Sequence, residues 1–149
     1  MNLHLALKHL HSGWRYVALL LIIFAIISAF SGWFGKNNYT EGNRKLNLFT
    51  LIAFHLQALI GLILYFVSPK VRLDDMAMAM KDSISRYWTV EHLFMMLIAV
   101  VLITIGHSKS KKIVASFQKH KTIAIFYTLA LIIVVVAISM SGIPVWAMS

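Results

Sequence analysis

The chain has 149 residues, a formal net charge of +9, no cysteine and a hydrophobic content of 60%, with a mean hydropathy of +0.79. That apolar content excludes an ordinary soluble domain and points to an integral membrane protein. The lack of cysteine excludes a disulfide framework, zinc-thiolate and iron–sulfur sites and covalent c-type haem attachment. The basic residues flank apolar runs, a pattern that meets anionic lipid headgroups and sets topology, and no nucleic-acid role is expected.

Residues 1–15 form an amphipathic lead-in, in which His4, Lys8, His11 and Arg15 fall on one helical stripe. The apolar run behind it is too long for the core of a signal peptide, and no cleavage site stands out. The first span is expected over 16–34. It carries Ser28-x3-Gly32 and Ser31-x3-Gly35, small-residue spacings that let helix backbones approach closely. Residues 35–47 read as a polar loop with Lys36, Arg44 and Lys45.

The second span is expected over 48–67. His55 lies well inside it, on a face with Leu48, Leu51 and Leu59, while Gln57 aligns with Gly61 and Tyr65 on a nearly opposite face. Ser68-Pro69 ends it, because proline cannot continue a helix without losing a hydrogen bond. In the loop that follows, Asp74-Asp75 cap a short methionine-rich segment. Met76, Met78 and Met80 are soft donors for copper(I), but alternating Met-Ala is equally an adaptable apolar patch.

The third span, 88–106, has Glu91-His92 near its start and His107 just past its end. Ionisable residues are costly inside a bilayer and normally mark a proton path, a cofactor or a partner charge. The fourth span, 123–141, holds no ionisable residue and has a small-residue stripe of Ala130, Ala137 and Ser141. The expected fold is therefore all-α: one domain, residues 1–149, forming an antiparallel up-down four-helix membrane bundle. Loops 35–47 and 107–121 share one side and carry eight Lys/Arg; the other side carries six. The excess, concentrated close to its spans, places those loops in the cytoplasm and both termini outside.

His11, His55 and His92 are the candidate metal ligands, since haem b takes two axial imidazoles from facing helices. His92 lies about 6 Å inside the outer boundary and His55 about 18 Å. His11 and His92 are closer in depth, and the sequence leaves the choice of pair open. Each candidate also has a structural reading. His55 can instead serve a quinone or a proton relay, or hydrogen-bond across helices, and His92 with Glu91 can meet Arg86 or Arg15. Arg15 suits a propionate or a lipid phosphate. Glu91 is the nearest carboxylate to orient a ligating imidazole.

The segments Leu10-His-Ser-Gly-Trp-Arg15, Phe54-His-Leu-Gln57 with Gly61-Leu-Ile-Leu-Tyr65, Arg86-Tyr-Trp-Thr-Val-Glu-His92, and Lys119-His-Lys121 with Ile125-Phe-Tyr127 carry a resemblance that covers nearly the whole chain. The chain resembles small four-helix bacterial membrane proteins commonly labelled cytochrome b. The resemblance implies a b-type haem protein of the bacterial inner membrane with histidine ligands. The expected function is electron transfer between the quinone pool and a partner. The alternative is a cofactor-free accessory subunit of a larger membrane complex, docked through the small-residue stripes of spans one and four.

Overall fold

The structure is a computed structural model that describes residues 2–147. All of its regular structure among those residues is helical: α1 Leu3–Phe34, α2 Glu41–Val67, α3 Met76–Lys81, α4 Ser83–Arg86, a π-helical turn Tyr87–Glu91, α5 His92–Lys112 and α6 Ser116–Met140. Four helical stretches are long and apolar enough to cross a bilayer, namely α1, α2, the continuous Ser83–Lys112 stretch and α6. That is consistent with a multi-pass membrane protein.

The helices run past the spans expected from hydropathy, for local reasons. Asn2 caps α1 by accepting from the Leu5 amide, so the basic stripe of the lead-in belongs to the same helix as the first span. The 32 residues of α1 extend about 48 Å, well beyond a hydrocarbon core of about 30 Å. Thr40 and Asn43 form a reciprocal capping box that starts α2 at Glu41, inside the expected loop. At the end of α5, Lys109, Lys111 and Lys112 sit in the last turn, where cations favour exposed carbonyls. The connection to α6 is thereby reduced to residues 113–115.

α1 packs on α2 and α6, and α5 packs on α6 and α2. Contacts join the start of one helix to the end of its neighbour. Ser28 near the end of α1 accepts from Asn43 near the start of α2, whereas His11 near the start of α1 meets Gln57 toward the end of α2. Tyr87, at the head of the third stretch, donates to the Ala137 carbonyl near the end of α6.

Small residues face inward and large ones outward. Ala18, Ile22, Ala25, Ala29 and Gly32 of α1 are buried, as are Ala130 and Ala137 of α6, while Leu20, Phe24 and Ile27 project from the bundle. A soluble core reverses this order; in lipid, association rests on close packing, and large apolar side chains cost nothing outside. Gly32, Ala130 and Ala137, from the small-residue stripes expected to dock a larger complex, are thus used inside the bundle itself, whereas Ser31 and Gly35 stay exposed. At the end holding residues 35–40, His120 of α6 packs its ring on Gly32 and edge-on against Tyr39, and Tyr127 donates to the Asn47 carbonyl.

Candidate functional site: a histidine pair in an apolar cleft

The opposite end of the bundle holds the start of α1, the end of α2, the π-helical turn and the end of α6. There the rings of His11 and His92 face each other with centroids 6.5 Å apart and planes inclined by 77°. A metal–nitrogen bond of about 2 Å on each side sets the ring centres of two imidazoles on one metal about 6.4 Å apart. The separation of the two rings matches that spacing. No cluster of three or more His, Cys, Asp or Glu residues suited to a metal ion occurs among the described residues.

The π-helical turn sets up His92. A regular α-helix turns about 100° per residue, so residues five apart point well away from each other; the wider π turn brings them back into line. Two such pairs meet here. The Tyr87 hydroxyl oxygen lies 3.2 Å from His92 Nδ1, and Arg86 Nε donates to Glu91 at 2.7 Å. The Tyr87 hydroxyl hydrogen goes to the Ala137 carbonyl at 2.5 Å, so toward His92 its oxygen accepts. Nδ1 then carries the proton, and Nε2 keeps a lone pair. Glu91, the residue expected to orient an imidazole, is paired with Arg86 instead, and Tyr87 takes that place.

His11 is set by α2. The Gln57 side-chain amide donates to the His11 carbonyl at 2.9 Å, and its nitrogen lies 3.5 Å from His11 Nε2. The ring lies over Gly61, where a Cβ would come within 2.8 Å of His11 Cε1. Only glycine leaves that space. His11 Nδ1, Gln57 Oε1 and Arg15 Nε are all buried without a hydrogen-bond partner. Buried polar atoms rarely go unsatisfied, and three in one cleft mark a place where a ligand or ordered water belongs.

The cleft has a volume of about 420 Å³, within the roughly 300–1,000 Å³ usual for small-molecule and cofactor sites. Its inner walls are apolar, among them Phe54, Leu62, Met96, Val100, Val134 and Ile138. Its lining also includes His4, Lys8, Arg15 and Lys70, and no aspartate or glutamate. Arg15 reaches across to the segment after α6, donating to the carbonyls of Val145 and Ala147.

The structure brings His11, His92 and Arg15 to this cleft and leaves His55 out of its lining. His55 sits on the exposed side of α2, its Nδ1 2.8 Å from the Leu51 carbonyl and its Nε2 3.3 Å from the Thr104 hydroxyl. His107 and His120 are buried toward the other end of α5 and the start of α6, and His9 is exposed. Sequence reasoning missed Tyr87. Gln57, Gly61 and Tyr65, aligned on one face of span two, all line the cleft. Comparison with protein-family models, curated proteins and solved structures finds no significant match for this chain.

Proposed function

We propose that the chain is a membrane haem b protein of the bacterial inner membrane, in which His11 and His92 would hold the haem iron, and that it passes electrons between the quinone pool and a partner. The observation that carries this reading is the imidazole pair, 6.5 Å apart across an apolar cleft. The resemblance to small four-helix membrane proteins labelled cytochrome b points the same way. When bound, the haem supplies a one-electron carrier held by two imidazoles. The chain does the rest. Tyr87 fixes the tautomer of His92, Gln57 and Gly61 set the ring of His11, and the apolar walls exclude water.

The test is a dithionite-reduced minus oxidised absorbance spectrum of the detergent-purified protein, with a haem assay. Reduced Soret and alpha bands are expected, and His11→Ala or His92→Ala should abolish them. A colourless protein after haem supplementation during expression would overturn the reading and favour the cofactor-free subunit.

A further inference from the structure

The cations lining the cleft come from two parts of the chain: Lys8 and Arg15 from α1, and Lys70 from the segment after α2. The ion pairs among the described residues are Arg44–Glu41, Arg72–Asp74 and Arg86–Glu91, and none involves a cation of the cleft. Arg15 is partly engaged by the Val145 and Ala147 carbonyls. Among the described residues, Lys8 and Lys70 have no carboxylate partner.

Lys70 is pinned in place, its Nζ 4.6 Å from the centre of the Trp88 ring, which itself lines the cleft. Burial, and then the neighbouring charge of Lys8, hold the Lys70 ammonium below the usual lysine range. Two like charges at the edge of an apolar cavity raise each other's cost, and an anion between them removes it. The walls behind them ask for an apolar body.

We infer that Lys8 and Lys70 form a receptor for carboxylates on the ligand of this cleft, which enters apolar body first and leaves its acidic edge at the rim. The inference rests on the haem reading, since haem b is an apolar macrocycle with two carboxylates on one edge. It goes further by assigning that edge to a lysine pair and by fixing which way the ligand points.

The experiment titrates the full-length protein in neutral detergent with haem and with haem dimethyl ester, which keeps the iron and ring but loses both charges. Wild-type protein should bind haem about tenfold more tightly than the ester, as expected for charge-assisted hydrogen bonds at a partly buried site. The Lys8→Gln, Lys70→Gln double variant should bind both with the ester's affinity, and Lys8→Arg with Lys70→Arg should restore the preference. Equal affinity of the wild type for the two ligands overturns the inference while leaving histidine ligation standing, and that comparison needs no variant to fold. If the iron spectrum shows no histidine ligation, the haem reading fails on its own. Iron-free protoporphyrin against its dimethyl ester, followed by fluorescence, then still decides the lysine receptor: preference for the acid supports it, and equal or absent binding overturns it.

Discussion

Tyr87 is the residue on which the site's chemistry turns. Its hydroxyl accepts from His92 Nδ1 because its own hydrogen is taken by Ala137. Groups that hold the second nitrogen of a ligating imidazole commonly govern affinity about 10- to 100-fold. Tyr87→Phe should therefore weaken haem binding by about that factor while leaving the helical circular dichroism unchanged, as read by haem titration. His55→Leu should do nothing to the same titration or to the Soret band, because His55 lies outside the cleft lining, beside Thr104 of α5. Loss of the spectrum in His55→Leu would mean that a ligand had been misplaced. His55 also shows where reading the sequence stops. Its helical face was legible, with Leu51 and Leu59 beside it, but in a membrane the lipid-facing and bundle-facing sides are both apolar. Hydrophobicity cannot say which way that face looks. The similar depth of His11 and His92 was legible from the rise per residue, whereas the partner of His92 was not. A regular helix repeats at about 3.6 residues per turn, and the π turn at Tyr87–Glu91 departs from that repeat at the site.

At the scale of elements, the four spans were legible because each is a long apolar run, and their ends were not, because capping overrides hydropathy. The Thr40–Asn43 box starts α2 among polar residues, and the lysines of 109–112 belong to the last turn of α5. The approach of α1 to α6 depends on Gly32, where a Cβ would collide with the ring of His120. His120 is 2% exposed and packed against Tyr39, so it has little room to yield. Gly32→Ala should cost about 1–3 kcal/mol of stability, the usual range for overpacking, and lower the melting temperature in detergent. Haem affinity should change little, since the His11–His92 pair lies at the other end of the bundle. Gly61→Ala should behave in the opposite way. Its Cβ would press on the ring of His11, so it should weaken haem binding more than it lowers the melting temperature. The two glycines thus separate packing from ligand placement, and variants that moved both readouts together would argue that the two ends are coupled.

At the scale of the whole molecule, the bundle is chemically lopsided. One end holds the histidine pair and the cations of the cleft; the other holds a buried polar network of Tyr39, Asn47, His120 and Tyr127 beside the basic connection between α5 and α6. Eight Lys/Arg (Lys36, Arg44, Lys45, Lys109, Lys111, Lys112, Lys119 and Lys121) belong to this second end, against six (Lys8, Arg15, Lys70, Arg72, Lys81 and Arg86) at the first. Short, strongly basic connections stay in the cytoplasm, so the cleft is expected to open on the outer side. The chain has no cysteine, which makes the test direct. Met78→Cys in α3 and Val114→Cys between α5 and α6 each place one thiol at an exposed position, 54% and 94% accessible respectively. A membrane-impermeant maleimide added to intact cells whose outer barrier has been opened should label Met78→Cys, and should label Val114→Cys only after lysis. The reverse pattern would place the cleft on the cytoplasmic side, and any electron partner would then have to meet it from there. The wild-type protein, lacking thiols, should stay unlabelled throughout, so either pattern reports orientation and nothing else.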